Sequence, residues 1–219
     1  MKLWGFGPYK RKGLAALPSP TDIALALKKV GYRNLAVRTD PPALKKAFPE
    51  LLLDLSGIAQ GYSVDRIALR LESLGIKSYL VEIGGELRSK GSKRNGDLWQ
   101  VAIETPAIAS GPVARVVGLE NSSLSTSGDY RDFIDVAGKR YSHIFDPRLG
   151  RPIETNIASA TVLTPLCQNA DAYAKAFLIL ADGEQKELAS RKAFSVLIQK
   201  HSGSGFDLSY MGDMQRHLS

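Results

Sequence analysis

Cysteine is almost missing from this sequence. Cys167 is the only one among 219 residues, so the chain can form no internal disulfide and build no cluster of thiolate metal ligands. The apolar residues around it point to a buried thiol. Also missing is any run of roughly 18 apolar residues, which excludes a membrane-spanning helix. The first residues show no basic stretch leading into an apolar run and a cleavage site, and no leading cysteine for lipidation. The chain as written reads as soluble and without an address. No internal repeat and no low-complexity tract interrupts it.

What is present is an ordinary globular composition, with 44% hydrophobic residues, the usual share for a packed core. Lysine and arginine number 29 against 22 acidic residues, a net charge of +7, which raises nucleic acid or a membrane surface as a partner. The positive charges are not gathered enough for either. Lys10-Arg11-Lys12 and Lys93-Arg94 sit among Gly, Pro and Ser and read as solvated loops. No nucleic-acid partner is expected, while a basic surface suits an anionic cofactor.

The opening, residues 1–17, is rich in Gly, Pro and Lys and holds an aperiodic apolar cluster of Leu3, Trp4 and Phe6. Ser19-Pro20-Thr21-Asp22 then supplies an N-cap, a proline at the first helical position and a first-turn carboxylate. Ile23, Ala26, Leu27 and Val30 follow at helical spacing, and Gly31 ends that helix. Strands are predicted over 35–37 and 51–55. A helix comes next, with Ile58, Tyr62, Ile67, Leu71 and Leu74 near one face and Gly75 at its end. Gly61 inside it either costs about 1 kcal/mol or admits a close neighbour to the backbone. Further strands are predicted over 79–83, 99–103, 113–119, 160–163 and 194–198, and a hairpin over 130–136 and 139–143 around Ala137-Gly138. Helices are predicted over 171–181 and 184–191. This mixture favours an α+β fold, with mixed or antiparallel sheets layered with helices, over a doubly wound parallel sheet. The domain is expected to span 1–200, with 201–219 as a loosely packed tail.

Some segments gather Gly, Asp, Ser, Thr and His beyond what packing demands. Asp54-Leu55-Ser56-Gly57-Ile58-Ala59-Gln60-Gly61-Tyr62-Ser63-Val64-Asp65 runs from a strand end into a helix start. Free N–H groups and the positive end of the dipole can hold phosphate there, and glycine permits close approach. An ordinary helix start with a glycine looks the same. Ser125-Thr126-Ser127-Gly128-Asp129-Tyr130-Arg131 is joined across the hairpin to His143-Ile144-Phe145-Asp146-Pro147. Hydroxyls, an arginine, an imidazole and a carboxylate brought together can bind phosphate and move a proton; the alternative is a polar turn with a surface histidine. Asn169-Ala170-Asp171-Ala172-Tyr173-Ala174-Lys175-Ala176 opens a helix. Asp171 and Lys175 share a face and can form an ion pair of roughly 0.2–0.5 kcal/mol, and a first-turn carboxylate suits the dipole.

In their order and wording these segments resemble the FAD:protein FMN transferase family, also called ApbE-like or thiamine-biosynthesis-lipoprotein-like. Leu3 to Pro8 looks like the family's LWGFGP stretch and Asp54 to Asp65 like DLSGIAKGYAVD. Val81 to Gly91 resembles (I/V)GGE(L/I)RxxG, Ser125 to Arg131 resembles the TSGDYR motif, His143 to Gly150 resembles HIxDPRTG, and Ala170 to Ala176 resembles ADALATA. The resemblance reaches about Ile198 and implies an ApbE-like, T-fold-like α+β architecture. It further implies a magnesium-dependent enzyme that splits FAD, joins FMN by a phosphoester to a threonine hydroxyl of an acceptor protein, and releases AMP. Some members hydrolyse FAD to FMN and AMP instead, and a relative that only holds flavin or keeps the scaffold is a further alternative. Relatives are commonly periplasmic lipoproteins.

Residue by residue, the resemblance implies flavin contacts at Asp54, Gln60 (often lysine in relatives) and Phe145, with Gly61, Thr126, Ser127 and Gly128 in the cofactor-binding motifs. It implies His143 as the catalytic base and sets Mg²⁺ among Gly57, through its carbonyl, Asp171, Ala174 and position 175. The chemistry agrees. Cleaving a diphosphate needs positive charge on its non-bridging oxygens, which a hard cation supplies, and a base for the attacking hydroxyl. Asp146, close in sequence, is assigned a supporting role in orienting or balancing the histidine. The sequence departs from the family at Lys175, where a threonine hydroxyl ligates the metal one turn beyond the aspartate. An ammonium has donors only and cannot ligate; it repels a cation or pairs with Asp171. Leu149 replaces a usual threonine. Family members also carry a sizeable portion before LWGFGP, whereas Met1 here nearly adjoins that motif. A member lacking that portion, or receiving it from another chain, is expected.

Overall fold

The computed structural model describes residues 1–6, 17–106, 112–128 and 133–218. Among them no helix is long and apolar enough to cross a membrane. Two compact units form, each from two stretches: Met1–Asp54 with Asp132–Glu154, and Leu55–Arg131 with Thr155–Ser219. The first unit starts with helix α1 (Pro20–Leu27) and strands β1 (Leu35–Thr39) and β2 (Pro42–Lys46). The second starts with α2 (Ala59–Ser73), β3 (Tyr79–Ile83), β4 (Glu86–Lys90), β5 (Trp99–Glu104), β6 (Val113–Leu119) and β7 (Ser123–Gly128). The chain returns to the first for β8 (Phe133–Val136), β9 (Lys139–Ser142), β10 (Phe145–Asp146) and β11 (Arg151–Pro152). It completes the second with β12 (Ile157–Thr164), α3 (Cys167–Ile179), α4 (Asp182–Lys192), β13 (Ser195–Ser202) and β14 (Gly205–Met211).

In the first unit α1 starts as the sequence predicts: Ser19 Oγ accepts the Asp22 N–H at 3.1 Å, and Pro20 takes the first turn, where no N–H is needed. The β8–β9 hairpin turns on Ala137 and Gly138, with φ of 51° and 78°, the left-handed pair of a type I′ turn. Trp4 and Phe6 are buried and meet Phe145 edge-on, with ring centroids 6.1 and 5.5 Å apart. Trp4 Nε1–H donates to the Gly150 carbonyl at 3.1 Å. The aperiodic opening cluster is thus the aromatic core of this unit. The strand predicted over 51–55 does not form. Residues 51–55 are irregular, with Leu52, Leu53 and Leu55 largely exposed, because an apolar run without a ladder partner is not a strand.

The second unit is built on six strands in the order β14-β13-β12-β7-β4-β3, every neighbouring pair antiparallel. Helices α2 and α3 pack on one face. The β5–β6 hairpin packs on the other, where Leu87, Leu124, Leu163 and Leu197 of the sheet share an apolar cluster with Ile103, Val117 and Leu119. Covered on both sides, β12 is buried along its whole length, which is why it reads as an uninterrupted non-charged run. Its neighbour β7 alternates: Leu124 joins the apolar cluster, while Ser123, Ser125 and Ser127 take the face beneath α3. The α+β layering expected from the sequence is present.

Further details differ from the sequence reading. Residues 201–219, expected as a loosely packed tail, carry β14, which pairs with β13 from Val196↔Met211 to Ser202↔Gly205, and Met214 is fully buried in the apolar cluster. Helix α2 buries Gly61, Val64, Asp65 and Ala68. Ile58, Tyr62, Ile67 and Leu74, expected on its core face, are between 38% and 59% exposed. The buried side carries small residues because another helix lies against it.

Candidate functional site

Helices α2 and α3 meet at Gly61. A Cβ there would lie 2.5 Å from the Cys167 carbonyl oxygen and 2.8 Å from Asp171 Cβ, so only glycine allows this approach. Among the described residues neither helix has a side-chain cap of its own; each receives a carboxylate from the other. Asp171 Oδ2, on α3, accepts the Gly61 N–H in the first turn of α2 at 3.0 Å. Asp65, on α2, accepts the N–H groups that open α3, Cys167 at 3.0 Å and Gln168 at 2.9 Å. These are the donors a helix start leaves unsatisfied, and the dipole favours negative charge beside them.

Each aspartate has its own cation. Asp65 takes Arg88 Nη1 at 2.7 Å. Arg88 Nη2 also reaches Glu72 at 3.4 Å, and Glu72 accepts the Tyr79 hydroxyl at 2.6 Å and pairs with Lys90 at 2.9 Å. Burial and then the bond to Glu72 push the Tyr79 hydroxyl up to about 12. Asp171 is fully buried, and its Oδ1 is ion-paired with the Lys175 ammonium, which also lies 3.4 Å from the Asp171 carbonyl oxygen. The lysine stem runs past Gly57, where a Cβ would lie 3.6 Å from Lys175 Cδ. Lys175 therefore fills the space between Gly57 and Asp171.

A second buried carboxylate faces this pair. Glu86 Oε1 accepts the Ser125 hydroxyl at 3.3 Å, and its Oε2 has no hydrogen-bond partner among the described residues. Burial raises the Glu86 pKa, and the Asp171 charge raises it further, against the pull of Lys175. Cys167 is buried, as its apolar surroundings predict. Burial first, then the charges of Asp65, Glu86 and Asp171, push its thiol far above the ordinary range, so it is not a nucleophile.

Of the residues singled out from sequence, Gly57, Gln60, Gly61, Thr126, Ser127, Gly128, Asp171, Ala174 and Lys175 belong to the second unit, and Asp54, His143, Phe145 and Asp146 to the first. Residues 129–131 lie outside the described residues. The Gly61 N–H and its open face are occupied by α3, so this glycine admits a helix rather than a phosphate. The Gln60 amide lies against Gly84, where a Cβ would be 2.5 Å from Gln60 Nε2. Thr126 Oγ1 is 2.8 Å from Thr161 Oγ1 across the β7–β12 ladder. Ser127 is buried and Gly128 ends β7. Ala174 is fully buried in α3, and its methyl offers no donor atom.

In the first unit His143 is half-buried between β9 and β10, and Asp54 is exposed. The Asp146 carboxylate accepts from Arg148 through the backbone N–H at 2.8 Å, Nε at 3.0 and 3.1 Å, and Nη2 at 2.8 Å. The Arg148 side chain holds this carboxyl below the usual range. The Asp146 carbonyl accepts the N–H groups of Leu149 and Gly150. Asp146 thereby fixes the turn that follows His143.

The residues present do not fit a magnesium ion between Gly57 and Asp171. A hard divalent cation needs oxygen ligands, whereas one Asp171 oxygen is on the Gly61 N–H and the other on an ammonium that fills the place. No group of three or more His, Cys, Asp or Glu suited to a metal occurs among the described residues. Sequence reading passed over Asp65, Glu86 and Arg88. The signal for Asp65 is its position with Gly61 and Ala68 at i, i+4 and i+7: a carboxylate on the face of small residues is tolerated only when bonded. Glu86 alternates with Leu87 inside a strand, which places it under the helices.

Residues 1–198 match the ApbE family. Over 209 residues the chain is 38% identical to the FAD:protein FMN transferase of Haemophilus influenzae, covering 94% of this chain and 60% of that one. Over 208 residues it is 37% identical to the FAD:protein FMN transferase of Escherichia coli, covering 94% and 59%. The chain spans about 60% of the length of the curated relatives it matches. Among solved structures, the flavin transferase ApbE from Vibrio cholerae matches with a TM-score of 0.83 at 35% identity, covering 99% of this chain and 68% of that one. The ApbE protein from Thermotoga maritima matches with a TM-score of 0.85 at 27% identity, covering 100% and 69%.

Proposed function

The chain belongs to the ApbE family, and from that premise we propose that it acts on FAD, moving FMN to a threonine hydroxyl of an acceptor protein and releasing AMP. One observation carries this reading: the family match is continuous over residues 1–198, so that His143, Phe145 and Asp171 all fall inside it. Identity of 37–38% to proteins named FAD:protein FMN transferase supports it.

In the reaction the threonine oxygen bonds to the phosphorus on the FMN side, the anhydride bond to the AMP oxygen breaks, and the hydroxyl proton passes to His143. Asp146, clamped by Arg148, holds the turn beyond the histidine. Phe145, gripped edge-on by Trp4 and Phe6, offers a fixed aromatic surface to the isoalloxazine ring. Asp54 and Gln60 supply polar flavin contacts, and Thr126, Ser127 and Gly128 belong to the cofactor-binding motif. A second reading, flavin held without transfer, is favoured by the Lys175–Asp171 pair, which leaves the diphosphate without a divalent cation.

The test mixes the protein with FAD and a threonine-bearing acceptor and follows both by mass spectrometry. An acceptor heavier by FMN, with AMP in solution, supports transfer. Free FMN and AMP without an adduct select hydrolysis of FAD. Intact FAD with quenched flavin fluorescence selects the second reading, and unbound FAD sinks both.

A further inference from the structure

We infer that Lys175 is a built-in cation: its ammonium stands between Gly57 and Asp171 in place of a divalent metal ion, and the chain binds no such ion there. The pair is unlike a surface ion pair between helix neighbours. Asp171 is fully buried and its carboxylate is already fixed by the Gly61 N–H. The lysine side chain is 31% exposed, with its stem against Gly57 and its head on Asp171. Glu86, also buried and with one oxygen unpartnered among the described residues, is a second acidic group that feels the charge of this ammonium.

An incoming divalent ion must displace a tethered ammonium, whose covalent link gives it a high local concentration. Were the lysine to stay, two like charges would share one small volume. Neither course leaves a metal enough free oxygen, since a lysine brings donors only. With Lys175 removed, the released oxygen of buried Asp171 has no counter-charge and the buried acid Glu86 acts on it electrostatically, a setting that a hard cation favours. It follows that any handling of FAD by this chain is the same in EDTA as in Mg²⁺. That consequence rests on the flavin reading; the exclusion of metal does not.

Manganese alone tests the exclusion, because the electron paramagnetic resonance signal of free Mn²⁺ is lost on binding. The wild-type chain is expected to leave the added signal unchanged. Lys175→Thr, which places a hydroxyl one turn from Asp171, is expected to bind Mn²⁺ at least about tenfold more tightly, and Asp171→Asn added to it abolishes the gain. Lys175→Gln, which keeps an N–H donor for Asp171 without the charge, is measured alongside and shows the gain even where the threonine variant does not fold. Wild-type binding that Asp171→Asn abolishes overturns the proposal. So does a failure of both Lys175 variants to bind more tightly than wild type. No flavin is added, so failure of the FAD reading and failure of this one are told apart.

Discussion

Asp65 and Asp171 are both buried, and each caps the helix that carries the other, but their counter-ions differ. Arg88 comes from β4, binds through a planar fork and also reaches Glu72, so the Asp65 end ties α2, α3 and the sheet together. Lys175 comes from the same helix as its partner, so their ion pair ties α3 only to itself. Its side chain is 31% exposed, against 14% for Arg88. An ion pair within one helix contributes little to the architecture. The comparison separates an anchor at one end of the seam from a place at the other where charge itself is the property held.

The sharpest way to break this comparison is Asp65→Ala, which strands Arg88 and two helix N–H groups. It is expected to cost about 3–5 kcal/mol in urea unfolding. Gly61→Ala comes next, at about 3 kcal/mol, because the obstructing atoms are the Cys167 carbonyl and the Asp171 Cβ, which cannot rotate away; a thiol reagent should then reach Cys167 and should fail to reach it in the wild type. Lys175→Met should cost less, about 2–3 kcal/mol, because Asp171 keeps the Gly61 N–H. A loss equal to that of Asp65→Ala would mean that both ends are anchors. Smallest is Glu86→Gln, a gain of roughly 1 kcal/mol at neutral pH. The Glu86 pKa is raised in the fold, so its contribution is full below the unfolded value of 4.5 and is lost as pH rises through the folded value. The benefit of the glutamine should therefore appear above that range and vanish in acid, as read by Tm across pH.

What was legible in the sequence was whatever packs by a simple period or is fixed by local turn chemistry. The Ser19 cap, the Ala137-Gly138 turn, β3 and β6 fall where they are expected, and of the two readings open for Gly61 the close approach is the one that the structure takes. Strand β7 was hidden because its Ser and Thr residues resemble a loop, although Glu86 and Thr161 of the sheet and the Pro165 carbonyl ahead of α3 satisfy their hydroxyls. Strand β14 was hidden by glycines at Gly203, Gly205 and Gly212, although Phe206, Leu208 and Tyr210 alternate as a half-buried strand does. Residues 51–55 misled in the opposite sense, since an apolar run does not reveal whether a partner strand exists. In the candidate site, the Asp171–Lys175 pair was legible from helical spacing alone. The reciprocal capping by Asp65 was not, because it joins residues 102 apart in the chain, and nothing local in either helix announces it.

That separation has a consequence for biosynthesis. When α2 emerges from the ribosome its first turn has no lasting partner for the Gly61 amide, because the aspartate that receives it is 110 residues downstream. Until α3 is delivered, that amide is left to water. Contacts so distant along the chain are slow to find, and this seam is where a chaperone or a pause in translation would have the most to protect.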